Sequence, residues 1–239
     1  RELQNGMVPT PMDTDYTIFM ICSAFFNHSG KLLTVCVVNT NTSIREDIDV
    51  IIECDTEDEL ILAHMEVLSR MSPDILGAFN GANFDWPLYR EKLFRLNKLR
   101  EFKTKVSSLP AKHYDTELNI YKYSFRTMRV KISAESDHHL ACVAVFPGML
   151  DIDVMAIFKK IEARADIVKG GSLNYFLAKN GLESKEDMPY KTMFRIYERA
   201  KRLESIKECH CKNLCSICTE FVKELDNAYD EETDTEAEA

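Results

Sequence analysis

The chain has 239 residues, of which 45% are hydrophobic and 29% charged, and its formal net charge at pH 7 is −9. This length fits one large domain or two small ones, and the composition is that of a globular protein with a packed core, which excludes a mainly disordered chain. No run of about 18 apolar residues is present, so we expect neither a membrane-spanning helix nor a membrane partner.

Charge is concentrated in two stretches of the sequence. Residues 220–239 hold nine acidic residues and one basic residue, and we expect this tail to be disordered. Residues 90–131 hold twelve basic and four acidic residues, and aromatic and basic residues are interleaved over 121–126. That mixture suits single-stranded nucleic acid, although a solvated helix face followed by an ordinary β-hairpin has the same composition.

The first part of the chain predicts three strands and a helix. Runs rich in β-branched, aromatic and other apolar residues predict strands over 16–26, 31–39 and 49–54. Thr56 and Glu59 form a capping box, which predicts a helix that continues until Ser72 and Pro73.

The remainder predicts one buried strand and several helices. The apolar run 74–79 fits a buried strand, and Pro87 stands where a first-turn proline belongs in a helix that reaches about Lys98. Residues 100–150 predict irregular strands and loops. Further helices are predicted from Asp153, over 172–180 and over 193–207. This order predicts an α/β fold with an antiparallel ribbon beside parallel strands.

An acidic residue follows the predicted buried strand across a tight turn. Asp85 stands at the mouth of the next helix, where rigid elements can hold a carboxylate against a hard cation. Asn80 and Asn83 can donate hydrogen bonds to a substrate phosphate or sugar. The alternative is that Asp85 only caps the helix, which is a common use of aspartate.

The same stretch resembles the second exonuclease motif of family B DNA polymerases. That motif consists of an Asn, a short spacer, an aromatic residue and a catalytic Asp. Asn80, Phe84 and Asp85 match it. Further segments resemble the family in the same order: the lead-in helix and strand, the Pro-Gly…Asp segment at 146–153, with Asp153 in the carboxylate position, and the Leu-Asn…Lys-Glu-Asp segment at 172–190. The similarity covers residues 16–199, about three quarters of the chain, and is nearest to the delta-like polymerases of eukaryotes and large DNA viruses.

The resemblance implies an incomplete ribonuclease-H-like fold and a 3′–5′ proofreading exonuclease in which two magnesium ions about 3.5–4 Å apart grip the scissile phosphate. Asp85 would be a catalytic metal ligand and Asp153 a possible second carboxylate, while Asn80, Asn83 and Phe84 would hold the terminal nucleotides. The implied partners are the 3′ end of single-stranded DNA, the primer–template and the remainder of the polymerase chain. The implied location is intracellular, in the nucleus or at a viral replication site.

Two motifs of the family are missing from the sequence. No Asp-x-Glu precedes the first strand; Asp13 and Asp15 have a similar spacing but lie in a proline-bearing loop. Tyr-x-x-x-Asp is also missing, since Lys201 follows Tyr197 at that spacing. We therefore expect a fragment that begins inside a longer polymerase and is inactive by itself, the alternative being a divergent, inactivated domain.

Four clustered cysteines form a second candidate site: Cys209, Cys211, Cys215 and Cys218. Four thiolates can close a structural zinc site, although the spacing is tighter than in ordinary zinc fingers and the second pair can instead combine with cysteines beyond the chain. The resemblance assigns this cluster no function.

The predicted organisation is thus a partial exonuclease domain over 1–199, a Cys-rich insertion over 200–219 and an acidic tail over 220–239. Two other functions stay open at this stage. One is a noncatalytic nucleic-acid-binding domain of the same fold, and the other is a zinc-organised interaction module.

Overall fold

The computed structural model describes residues 10–13, 16–42, 46–107, 125–131, 138–161, 172–184 and 188–207.

The described strands form two sheets. Their bounds in chain order are β1 Met20–Asn27, β2 Gly30–Val38, β3 Val50–Glu53, β4 Ile75–Ala78, β5 Phe125–Lys131, β6 His138–Phe146 and β7 Met149–Asp153. The first sheet has the order β1-β2-β3, and the second has the order β4-β7-β6-β5. β2 pairs antiparallel with β1 and parallel with β3, and β4 pairs parallel with β7, so the predicted mixture of ribbon and parallel strands is confirmed.

Helices flank these sheets, which confirms the α/β class; the more specific ribonuclease-H-like arrangement stays a prediction. The described helices are α1 Glu57–Met71, α2 Asp85–Arg95, α3 Leu99–Val106, α4 Val154–Ile161, α5 Leu173–Lys179 and α6 Tyr190–Lys207. α1 begins with the predicted capping box, in which Thr56 Oγ1 accepts from the Glu59 amide and Glu59 accepts from the Thr56 amide. Within the described part of the chain, none of these helices is long and apolar enough to cross a membrane.

The first strand begins later than the sequence predicted, at Met20 and not at Tyr16. The reason is a buried polar network between this segment and the helices. The Lys92 ammonium donates to the Tyr16 carbonyl at 2.6 Å and to Glu57 Oε2 at 2.9 Å, and Glu57 Oε1 accepts from the Ile18 amide at 2.7 Å. Because helix side chains satisfy these backbone groups, the segment needs no strand partner there.

The prediction of irregular structure from residue 100 onwards is wrong for α3. Its apolar residues Leu99, Phe102 and Val106 are all buried, at a spacing that suits one helix face. The predicted helix ending near Lys98 ends instead at Arg95, and Asn97, with φ 55°, lies in the break between α2 and α3.

An aromatic cluster joins the helices to the second sheet. Trp86 and Tyr89 of α2 meet Phe102 of α3 and Phe125 of β5, with ring centroids 5.3–6.5 Å apart and mostly edge-to-face. Such pairs stabilise a fold by about 0.5–1.5 kcal/mol each beyond their buried area. The cluster fixes the start of α2, because Trp86 is its second residue.

α6 packs against residues that flank the first sheet. The Tyr197 ring stacks on Phe19, which precedes β1, with centroids 4.5 Å apart, and its hydroxyl donates to Asn39 Oδ1 at 2.8 Å. Glu204 accepts from the Thr40 hydroxyl at 2.7 Å. α6 thus runs across the predicted boundary between residues 199 and 200 and contacts these flanking residues on both sides of that boundary.

Candidate active site at a strand-to-helix junction

The candidate site lies at the carboxyl ends of β4 and β7. These strands are parallel neighbours, with Ala78 opposite Asp153, so the segments that follow them meet at one edge of the sheet. α2 begins at Asp85 after a turn, whereas α4 begins directly after Asp153. In open α/β sheets, this edge is where ligands commonly bind.

The turn between β4 and α2 is held by its own hydrogen bonds. Asn80 has φ 64°, in the left-handed region that asparagine tolerates better than most residues. Its carbonyl accepts from the amides of Asn83 and Phe84 at 3.1 Å, and its Oδ1 accepts from Asn83 Nδ2 at 3.2 Å. The turn also joins the sheet, because the Ala82 carbonyl accepts from the Cys142 amide at 2.8 Å.

Gly81 allows the chain to pass close to Ala78 and Asp85. A Cβ atom at this position would lie 2.6 Å from Ala78 Cβ, closer than real Cβ contacts allow, and 3.6 Å from Asp85 Oδ2. The glycine therefore keeps the turn compact beside the carboxylate.

Asp85 is the first residue of α2 and does not cap it. The cap residue is Phe84, whose side chain makes no capping hydrogen bond, so Asp85 stands one residue past the position of an aspartate cap. Asp85 is exposed, yet enough protein surrounds the carboxyl group that partial burial raises its pKa; a hydrogen bond from its own amide opposes this rise, and the nearby charge of Asp153 adds to it. A carboxylate in this state favours a bound cation or a proton.

Asp153 lies beside this turn but is engaged by backbone amides. Its Oδ1 accepts from the amides of Asn80 and Met155, both at 3.0 Å, and its Oδ2 accepts from the Ala82 amide at 3.3 Å. The bond to Met155 caps α4, and the other two hold the turn that leads to Asp85. The helix predicted to start at Asp153 accordingly begins one residue later, at Val154.

Asp151 is a third carboxylate at this edge, and sequence reasoning missed it. Its side chain accepts from the Ala144 amide at 2.7 Å and from the Trp86 side chain, and burial raises its pKa. Asp151 thus ties β7 to β6 and to the start of α2. Its spacing of two residues from Asp153 was the available signal, because such residues point to the same face of a strand.

Two predicted substrate-binding groups are open to solvent at this junction. Phe84 is 40% exposed although it is aromatic, and Asn83 is also exposed. An exposed ring beside a carboxylate can stack on a nucleic-acid base. The structure therefore brings Asn80, Asn83, Phe84 and Asp85 together with Asp153.

The described part of the chain contains no complete set of metal ligands. No group of three or more His, Cys, Asp or Glu side chains is placed there to hold an ion. Asp13 belongs to a local turn, with its Oδ2 accepting from the amide and hydroxyl of Thr10, and these bonds lower its pKa. Asp15 lies outside the described residues. So do all four clustered cysteines, and a structural zinc ion there stays a prediction.

Comparison with known proteins adds a family match. The family model described as DNA polymerase family B, exonuclease domain, matches residues 2–160. The protein named DNA polymerase beta from African swine fever virus (strain Badajoz 1971 Vero-adapted) is 34% identical over 195 residues, which is 81% of this chain and 16% of that protein. The DNA polymerase catalytic subunit of varicella-zoster virus (strain Dumas) is 26% identical over 166 residues, which is 67% of this chain and 12% of that protein. The chain thus spans only a small part of the length of these relatives.

Proposed function

The chain belongs to DNA polymerase family B, whose exonuclease domain it matches, and we propose that it forms part of a 3′–5′ proofreading exonuclease. In this proposal the full-length product of its gene is a DNA-directed DNA polymerase of a large DNA virus. The region described here contributes to hydrolysis of the 3′ end of single-stranded DNA at an intracellular replication site. Its partners are the primer–template and the rest of the polymerase chain.

The observation that carries the proposal is the position of Asp85. The carboxylate stands exposed at a strand-to-helix junction, directly after the turn that holds Asn80 and Phe84, and Asp85 does not occupy the cap position of its helix. An aspartate that serves as a helix cap would stand one residue earlier and accept hydrogen bonds from the second or third amide of the helix.

The chemistry of the donors fits magnesium in kind but not in number. A carboxylate is the ligand type that this ion prefers, and Asp85 would supply one such ligand. Asp151 and Asp153 accept hydrogen bonds from amides and from Trp86. With Asp85 they do not form a complete ligand set among the described residues, so further ligands are needed for two ions. Bound magnesium would supply the positive charge that stabilises the reacting phosphate.

The remaining residues of the turn would position the substrate. The exposed Phe84 ring can stack on a terminal base, which holds a single strand without regard to its sequence. The side chains of Asn80 and Asn83 can orient a phosphate or sugar. The hydrogen bonds that Asp153 accepts from the turn would hold these groups in a fixed arrangement, as a group of catalytic residues requires.

A second candidate is a noncatalytic domain that binds single-stranded nucleic acid. The incomplete ligand set in the described part of the chain favours it, because a domain without a full metal site still presents Phe84 and exposed basic residues: Arg100, Arg126, Arg129 and Lys131. The two candidates differ in whether loss of the Asp85 carboxylate abolishes digestion.

The test uses the full-length product of the gene and single-stranded DNA labelled at its 5′ end, in magnesium buffer. We expect shortening of the DNA from its 3′ end, and a rate at least about 100-fold lower in the Asp85→Ala variant, since loss of groups that only support a metal ligand already costs about 10–100-fold. Asp74→Ala is the matched control, because Asp74 is an exposed aspartate at the opposite end of the same strand.

Binding of the same DNA, measured without magnesium, separates the two candidates. If the unaltered protein binds the strand but does not digest it, the noncatalytic function replaces the exonuclease. If Asp85→Ala digests the DNA as fast as Asp74→Ala does, the assignment of Asp85 as the catalytic ligand is wrong.

A further inference from the structure

Two cysteines face each other across the first hairpin. Cys22 of β1 and Cys36 of β2 are direct partners in the antiparallel register, and their Sγ atoms lie 3.2 Å apart. The two strands are paired on both sides of this position, from Met20 to Asn27 on β1, so the backbone holds the two thiols together.

The hairpin geometry is compatible with a bond between these sulfur atoms. Directly opposite residues in an antiparallel pair have Cα atoms about 4.5 or 5.5 Å apart, depending on the type of pair, and disulfides need about 4.4–6.8 Å. The two Cys side chains already point to the same face of the sheet. A bond therefore requires movement of the side chains but not of the strands.

The two thiols differ in accessibility and in acidity. Cys22 is exposed to solvent, whereas Cys36 is 4% exposed. Hydrogen bonding from Cys36 stabilises the Cys22 thiolate and lowers the pKa of Cys22 to about 7, while the same contact and burial raise the pKa of Cys36. An accessible thiolate beside a second thiol is the arrangement found in oxidation-sensitive sites.

We propose that Cys22 and Cys36 form an oxidation site, at which hydrogen peroxide converts the two thiols into a disulfide that links β1 to β2. This site is separate from the junction that carries Asp85, and the proposal does not depend on the exonuclease function.

Oxidation proceeds in two steps that balance. The Cys22 thiolate attacks one oxygen of hydrogen peroxide, the O–O bond breaks, and hydroxide leaves with the Cys22 sulfur oxidised to a sulfenic acid. The Cys36 sulfur then attacks the Cys22 sulfur, the S–O bond breaks, and water leaves as the disulfide forms. In total, two thiols lose two electrons and two protons, and one peroxide becomes two water molecules.

Tryptic mapping of the 239-residue chain tests the proposal directly, because Lys31 lies between the two cysteines. Trypsin releases Cys22 in the peptide 2–31 and Cys36 in the peptide 32–45. After exposure to hydrogen peroxide and alkylation of the remaining thiols, we expect these two peptides to stay joined, lighter by two hydrogen atoms than their sum, and to separate on reduction. Cys54 is the internal control, since burial raises the pKa of this half-buried thiol, and it should still be alkylated.

A variant provides a second measurement. Cys36→Ser removes the second thiol, so Cys22 should accumulate as a sulfenic acid that dimedone traps. The proposal is overturned if peptides 2–31 and 32–45 separate without reductant while both cysteines are alkylated. It is also overturned if Cys22 is joined to a cysteine other than Cys36, or if Cys54 is oxidised as fast as Cys22.

Discussion

Two neighbouring strands of the second sheet end side by side, and an aspartate stands at the start of the helix that follows each of them. Asp153 is the last residue of β7 and directly precedes α4, and its carboxylate accepts three hydrogen bonds from amides. After β4, the chain makes a turn over 79–84 before Asp85, which is the first residue of α2 and lies one position past the cap residue Phe84.

The difference shows that the length of the connection sets the role of the aspartate. A direct connection puts the residue at the cap position, where its oxygens are used by the backbone. The longer turn places Asp85 one residue past the cap position. Asp153 thus holds the turn in place, and in the proposed function Asp85 binds the metal ion.

Replacement of each aspartate should therefore affect stability to different extents. We expect Asp153→Ala to lower the free energy of unfolding by about 4 kcal/mol, because the amides of Asn80, Ala82 and Met155 lose a charged acceptor. Asp85→Ala should change the free energy of unfolding by no more than about 0.5 kcal/mol, since burial already disfavours the ionised Asp85. Denaturant unfolding of the chain measures both.

Asp153→Asn sharpens this contrast. Its amide oxygen can take the place of Oδ1, which accepts from both Asn80 and Met155, so this variant should recover about half of the lost stability. If Asp85→Ala and Asp153→Ala lower the free energy of unfolding equally, the two aspartates do not differ in what they contribute to stability.

A buried histidine in the core provides the opposite pH dependence to Asp85, whose pKa is raised by burial. Burial lowers the pKa of His64 to about 4 from a usual 6.5. Between these values the unfolded chain binds the proton and the folded chain does not, so stability is full above pH 6.5 and falls as the pH falls. The loss on going from pH 7 to pH 4 should be about 3 kcal/mol.

Unfolding of His64→Gln at the same pH values isolates this effect, because the variant should lack that part of the pH dependence. Ser23→Ala is the control, since it removes a hydroxyl 3.5 Å from His64 Nε2 and leaves the imidazole in place. If the free energy of unfolding depends on pH equally in His64→Gln and in the unaltered chain, His64 does not titrate in this way.

Two glycines, Gly77 in β4 and Gly81 in the turn that follows it, give the smallest expected effect and test how closely the Asp85 junction is packed. Gly81→Ala should cost about 2 kcal/mol of stability, because its Cβ would lie 2.6 Å from Ala78 Cβ. Gly77→Ala places its Cβ at an ordinary 3.7 Å from Val154 and should cost much less. A thermal melt compares the two, and a larger loss for Gly77→Ala would contradict the close packing at Gly81.

Features that depend on residues a few positions apart were predictable from the sequence. The capping box of Thr56 and Glu59 depends on residues three apart, and the helix predicted over 172–180 begins after Ser172, which caps α5 by accepting from the Tyr175 amide. α3 was also readable from the spacing of Leu99 and its apolar successors, although the prediction of loops in this region missed it.

Features that join distant parts of the chain were not predictable. Asp153 and Asn80 are 73 residues apart, and only the parallel pairing of β4 with β7 brings them together. The hairpin of β1 and β2 was predicted, but its register shifts between Phe25 and Phe26, and this register decides which residue faces Cys22.

The contact of α6 with residues that flank the first sheet has a consequence for synthesis of the protein on the ribosome. Glu204 bonds to Thr40 across 164 positions of the chain. At about 5–20 residues per second, the ribosome needs on the order of 10 s to add that length. For that interval Phe19 and the end of β2 have emerged without the helix that covers them, and nascent chains at this stage are where we expect chaperones to bind.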